Sequence, residues 1–102
     1  MPHPYQSVFK DNLFSNKAII VTGGGSGIGR CTAHELASLG ATVILIGRKL
    51  DKLESVAAEI IEDGGQADCY ACDIREESIV QQTVAELTKK HPVIHGLVNN
   101  AG

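Results

Sequence analysis

The residues best placed to do chemistry are Thr22-Gly23-Gly24-Gly25-Ser26-Gly27-Ile28-Gly29. An apolar run, Ala18-Ile19-Ile20-Val21, leads into them, and a helical pattern from about Ile28 leads out. A strand that ends in glycines and opens directly into a helix is built to hold phosphate. Glycine lets the backbone turn tightly and approach an anion, and the helix N-terminus offers unpaired N–H groups and the positive end of a dipole. The register is selective. A G-x-G-x-x-G frame would need glycine at Ile28 or at Arg30, and a phosphate-binding P-loop would put its Lys and Ser/Thr on Arg30 and Cys31. The spacing that fits is T-G-x-x-x-G-x-G, with Gly23, Gly27 and Gly29.

That spacing resembles the cofactor loop of the short-chain dehydrogenase/reductase (SDR) family. The last four residues, Asn99-Asn100-Ala101-Gly102, resemble the N-N-A-G motif of the same family, and the resemblance runs from about Asn16 to Gly102. It implies cofactor contacts from Gly23, Ser26, Gly27, Ile28 and Gly29 in the loop. It also implies that Asn100, Ala101 and Gly102 close the floor of the site beside the ribose; a strand end and turn is the plain alternative there. Within the family, tyrosine acts as general acid/base, lysine assists it and serine positions the substrate oxygen. The Tyr-x-x-x-Lys pair has no counterpart here, because Tyr5 and Tyr70 are followed at the fourth position by Phe9 and Ile74. The chain therefore reads as a cofactor-binding half with no catalytic residue. The N-terminal tail and Gly47-Arg48-Lys49 resemble the branch that includes trans-2-enoyl-CoA reductases and citronellol dehydrogenases.

Cofactor choice is legible at the end of the second predicted strand. Sites for NAD place Asp or Glu there, to accept hydrogen bonds from the ribose 2′-hydroxyl; sites for NADP avoid that charge and bring in arginine. Here the strand ends Ile46-Gly47-Arg48-Lys49, with no carboxylate before Asp51. Arginine grips phosphate in a forked, charge-assisted pair. Cations at a helix start oppose its dipole, so a merely solvated helix start explains them less well. NADP(H) is expected in preference to NAD(H), with Arg48 and Lys49 at the 2′-phosphate. Some family members carry a basic residue just before the second motif glycine, where Ser26 stands here.

Asp73 carries two readings. Asp73-Ile74-Arg75-Glu76 has the form of a capping box, with Asp73 at the N-cap and Glu76 three residues on. The family resemblance implies a second role, in which Asp73 accepts from the adenine amino group with the Ile74 amide beside it. Other features are weaker. Cys69-Tyr70-Ala71-Cys72 has metal or redox spacing, but residues i and i+3 of a strand point to opposite faces. His3, His34, His91 and His95 fall in a tail, a helix, a loop and a strand start, and read mostly as solvated surface. Asp51, Glu54, Glu59, Glu62 and Asp63 read as the solvated face of a helix.

These groups need a scaffold. Residues 1–14 show no sustained period and form a tail that Phe9, Leu13 and Phe14 could anchor; residues 15–102 form the dinucleotide-binding domain. Apolar runs predict strands at Lys17–Val21, Thr42–Ile46, Ala67–Cys72 and Ile94–Asn99. Helices are predicted from Ile28 to Leu39, from Leu50 to Glu62, and from Asp73 to before His91-Pro92. Ile28, Ala33, Leu36 and Ala37 would pack the first helix on the sheet, Leu53, Val56, Ala57 and Ile60 the second, and Ile79 or Val80, Thr83, Val84 and Leu87 the third. This alternation gives a Rossmann-type, doubly wound parallel α/β sheet in the order 3-2-1-4. Its fourth strand is left as an apolar edge, as expected of an incomplete domain.

Composition excludes some classes. A net charge of −3 with no basic cluster argues against a nucleic-acid surface. No apolar run is long enough to span a bilayer and no secretory signal opens the chain, so a cytoplasmic location is the default. The resulting expectation is an NADP(H)-dependent oxidoreductase moving a hydride to or from a carbonyl, alcohol or activated alkene, such as an enoyl-CoA or terpenoid alcohol. Its partners would be the dinucleotide, a small-molecule substrate and further copies of itself, as a homotetramer or dimer. A non-catalytic NADP(H)-binding module or sensor is the first rival. A methyltransferase using S-adenosylmethionine is the second, and Gly47-Arg48 argues against it.

Overall fold

The computed structural model describes residues 13–23, 25 and 27–100. The expected tail residues 1–12, with Phe9 and His3, lie outside them. Seven elements alternate along the chain: β1 (Ala18–Thr22), α1 (Gly27–Ser38), β2 (Thr42–Gly47), α2 (Leu50–Glu62), β3 (Gln66–Ala71), α3 (Glu77–Lys90) and β4 (Gly96–Asn99). The strands form one parallel sheet in the order β3-β2-β1-β4, as the sequence implies. Ile20 is level with Ile44 on one side and Leu97 on the other, and Thr22 is level with Asn99.

Because both faces of a parallel sheet are covered, its strands are apolar at successive positions. The alternation of side chains sends Val21, Val43 and Leu45 into one buried cluster, with Ala33 and Ala37 of α1 and Leu53, Val56 and Ile60 of α2. Ala18, Ile44 and Ile46 point the other way and meet Cys72, just after β3, and Leu87 of α3. Each fully buried side chain of this size contributes about 1.5–3 kcal/mol. Two helices thus cover one face and one helix the other. Phe14 packs against the first cluster and its amide donates to Leu39 O at 2.8 Å, so it does anchor the segment before β1. Leu13 is exposed.

Some expectations fail. Ile28 is 75% exposed and does not pack on the sheet, and Val84 of α3 is half-exposed. Helix α3 begins at Glu77, not at Asp73, and Glu76 occupies the N-cap without a side-chain cap bond. The reason is local. The Asp73 carboxylate accepts from the Arg75 amide at 3.0 Å, and Glu76 N–H donates to Asp73 O at 3.0 Å. Asp73 therefore spends its side chain on a turn, and the capping-box reading is corrected. Leu97 of β4 is 63% exposed at the sheet edge, in the place where an apolar edge was expected.

The order of strands fixes where a ligand can sit. From β1 the chain moves outward through β2 and β3, then returns to the opposite side of β1. The reversal leaves a crevice beyond the C-terminal ends of β1 and β4, where open α/β sheets bind ligands.

Candidate functional site: a cationic cleft at the strand ends

At that end of the sheet the glycine loop, the start of α2 and the turn after β3 enclose a cleft of about 570 Å³. Gly23, Arg48, Lys49, Asp73 and Ile74, all singled out from sequence, line it. Gly27, Ile28, Gly29 and Asn100 lie outside its lining, and Ser26, Ala101 and Gly102 lie outside the described residues. Lys52 and Arg75 also line the cleft and were missed. The signal for Lys52 was available, since it continues the run of cations into the first turn of α2, against the helix dipole.

The loop is shaped by its glycines. Gly23 and Gly27 have φ of +66° and +60°, the left-handed region that L side chains resist. Gly29 is required for another reason. A Cβ on it would lie 2.0 Å from Gly23 O and 2.7 Å from Asn100 Nδ2. The first turn of α1 therefore rests directly on the end of β1, which brings the helix start to the loop.

The two motifs are tied together. The Thr22 hydroxyl lies 3.3 Å from Val98 O and 3.1 Å from Asn99 Oδ1, able to donate to either, and accepts from Asn100 N–H at 2.9 Å. Asn100 Nδ2 reaches Gly23 O at 3.5 Å. Thr22 is thus a structural link at the site that the glycine spacing alone does not reveal.

The cationic wall stands on apolar packing. Leu53 is buried beneath Gly47, whose Cβ position would lie 3.3 Å from Leu53 Cδ2. A Cβ on Gly25 would lie 3.1 Å from Lys52 Cβ, so the loop touches α2. On the far wall, Asp73 forms a forked pair with Arg75: Arg75 Nε to Oδ1 at 3.0 Å and Nη2 to Oδ2 at 2.8 Å. Those bonds, then the bond from the Arg75 amide and the nearby charge of Arg48, hold the Asp73 carboxyl down to about 2. Asp73 is therefore an ionised acceptor at neutral pH. The donor set of this cleft comprises four cationic side chains, a glycine loop at a helix start and one ionised acceptor, which suits a ligand with phosphates and a hydrogen-bonding base.

Elsewhere the titratable residues are paired differently from the sequence reading. His34 is 15% exposed and bonds Glu59 Oε1 at 2.9 Å. Glu59 also takes a forked pair from Arg30 at 2.9 and 2.7 Å, so α1 and α2 are clamped together. His91 is 13% exposed and bonds Asp68 Oδ2 at 3.0 Å, beside Lys90 and the Tyr70 hydroxyl. His95 Nδ1 accepts from Ala18 N–H at 3.0 Å. The solvated reading is corrected for His34 and His91, whose partners are remote in sequence; His95 is exposed as read, and Glu59 is ion-paired but still 38% exposed. Cys69 packs on the first core cluster and Cys72 in the second, on opposite faces of the sheet. Among the described residues no group of three or more His, Cys, Asp or Glu side chains could hold a metal ion, and no helix is long and apolar enough to cross a membrane.

The family model for short chain dehydrogenase matches residues 17–102. A probable 2,4-dienoyl-CoA reductase of Caenorhabditis elegans is 40% identical over 98 residues, covering 92% of this chain and 31% of that protein. The structure of a citronellol catabolism dehydrogenase (AtuB) from Pseudomonas aeruginosa PAO1 matches with a TM-score of 0.94 at 61% identity, covering 96% of this chain and 41% of that one. A metagenomic short-chain oxidoreductase in complex with NADP matches at TM-score 0.83 and 39% identity, over 86% of this chain and 40% of the other. An NAD+-bound xylitol dehydrogenase matches at 0.84 and 37%, over 88% and 35%. The chain spans about a third of the curated relative it matches.

Proposed function

The chain belongs to the short-chain dehydrogenase family, and on that premise we propose that it forms the NADP(H)-binding part of an oxidoreductase. The reaction is hydride transfer to or from a carbonyl, an alcohol or an activated alkene, and the nicotinamide supplies the hydride chemistry when bound. The substrate class follows from the relatives' names, a dienoyl-CoA reductase and a citronellol catabolism dehydrogenase: an acyl-CoA thioester or a terpenoid alcohol. The Tyr-x-x-x-Lys pair used by the family has no match among these 102 residues.

The single observation that carries the cofactor choice is the charge of the cleft. Arg48, Lys49, Lys52 and Arg75 line it with Asp73 as the one carboxylate among its lining residues, and no Asp or Glu stands at the end of β2 to receive a ribose 2′-hydroxyl. In this reading Gly23, Ser26, Gly27, Ile28 and Gly29 present the loop backbone and helix start to the pyrophosphate. Arg48 and Lys49 grip the 2′-phosphate, Asp73 and Ile74 receive the adenine, and Asn100, Ala101 and Gly102 lie under the ribose. Arg48→Ala tests it. Loss of a charge-assisted bond lowers NADPH affinity by about 1.5–3 kcal/mol and leaves NADH nearly unchanged; equal losses for both cofactors would sink the assignment.

A further inference from the structure

We propose that Arg75 is the positioning residue of the adenine subsite, holding the Asp73 carboxylate so that it accepts from an amino group and rejects an oxo group at the same place on the base. The proposal rests on the NADP(H)-site reading above.

Three bonds reach the Asp73 carboxylate from a single residue. Arg75 gives its amide and Nε to Oδ1, both at 3.0 Å, and Nη2 to Oδ2 at 2.8 Å. A carboxylate has about four acceptor sites, so both sites on Oδ1 are taken and one remains on Oδ2. The fork also fixes the plane of the carboxylate, which the amide bond alone would leave free to rotate about its Cβ–Cγ bond. An acceptor held in this way receives a donor well and repels another acceptor, since an ionised carboxylate has no proton to offer. Exposure is consistent with the arrangement: the Arg75 side chain is 72% exposed and Asp73 only 26%, so the cation lies toward solvent. The guanidinium is committed to Asp73, which leaves the 2′-phosphate to Arg48, Lys49 and Lys52.

The experiment measures dissociation constants on the protein for NADPH, NADH and the NADPH analogue whose adenine is replaced by hypoxanthine, which carries oxygen in place of the amino group. Wild-type protein should favour adenine over hypoxanthine by about tenfold, the size of one hydrogen bond to a charged group. Arg75→Ala should cut that preference by about threefold or more and leave the NADPH-to-NADH ratio unchanged. Arg75→Lys keeps the charge but not the fork, and should lose the preference nearly as fully. Because Arg75 is exposed, neither substitution removes core packing.

An adenine preference that is undiminished in Arg75→Ala or in Arg75→Lys overturns the proposal. So does a selective loss of NADPH relative to NADH in Arg75→Ala, which would make Arg75 a phosphate contact. Asp73→Asn separates the underlying reading, because the amide can turn its NH₂ to an oxo group and should erase the discrimination. If Asp73→Asn keeps the full preference, or wild type shows none, the adenine role of Asp73 fails, and the Arg75 role with it.

Discussion

Replacing Gly29 by alanine is the sharpest test of how the loop is built. The added Cβ would stand 2.0 Å from Gly23 O, 2.8 Å from Gly23 C and 2.7 Å from Asn100 Nδ2. Two of those atoms are main chain at the end of β1, so no side chain can swing aside to make room. An ordinary carbon–oxygen contact needs about 3.4 Å or more, and α1 must therefore shift by more than an ångström against a buried interface. Overpacking of this kind costs about 1–3 kcal/mol, and the rigid main-chain contacts place it at the upper end, about 3 kcal/mol. Gly27→Ala is the control. Its Cβ would meet nothing within 4 Å, yet φ is +60°, so it costs only the left-handed penalty of about 1–2 kcal/mol, and Gly27→Asn should cost less. Equilibrium urea denaturation, with far-UV circular dichroism as the signal, gives all three values. A Gly29→Ala protein within about 0.5 kcal/mol of wild type, a change typical of surface positions, would refute the close packing of α1 on β1.

Three further outcomes follow from the packing and the charges. Leu53→Ala removes a buried side chain under the cleft and should cost about 2–5 kcal/mol, with NADPH binding weakened further once the folded fraction is corrected for; denaturation and titration of the same samples separate the two. Thr22→Val keeps the shape but strips the acceptor from Asn100 N–H; a loss of about 1–3 kcal/mol and faster hydrogen exchange at the Asn100 amide are expected. The forked bonds from Arg30, with His34 beside them, hold the Glu59 carboxyl down to about 2. A depressed carboxyl stabilises fully above its ordinary pKa and loses that contribution as pH falls toward 2. Because the Glu59 side chain is 38% exposed, solvent screening limits the effect to about 1 kcal/mol or less. Glu59→Gln should flatten the wild-type decline in stability below about pH 4.5, and an unchanged acid profile would remove Glu59 from the explanation.

What could be read in advance depended on how local the governing interaction was. Helix α2 was legible to the residue, Leu50–Glu62, because Leu53, Val56, Ala57 and Ile60 repeat on one helical face and Gly64-Gly65 closes it. The parallel direction of the strands was legible because the crossovers have helical length, and their order because a glycine loop after the first strand marks a doubly wound sheet. Asp73 misled because a capping box is defined by residue types three apart, while the side chain between them, Arg75, competes for the same carboxylate. His34 and His91 misled because their partners, Glu59 and Asp68, lie on other elements and no period links them. Ile28 and Val84 fit an apolar stripe but remain largely exposed, since periodicity names a face and not how far the neighbouring element extends over it. Thr22 was quoted with the loop, but its bonds to β4 depend on the register that sets it level with Asn99.

The central claim is that the cationic cleft selects the phosphorylated dinucleotide. Calorimetric titration of the protein with NADPH and with NADH, at low and at moderate salt, tests it most directly. NADPH should bind at least about tenfold more tightly, a difference of about 1.4 kcal/mol, and this margin should narrow as salt screens Arg48, Lys49 and Lys52. Equal affinities, or tighter binding of NADH, would contradict it.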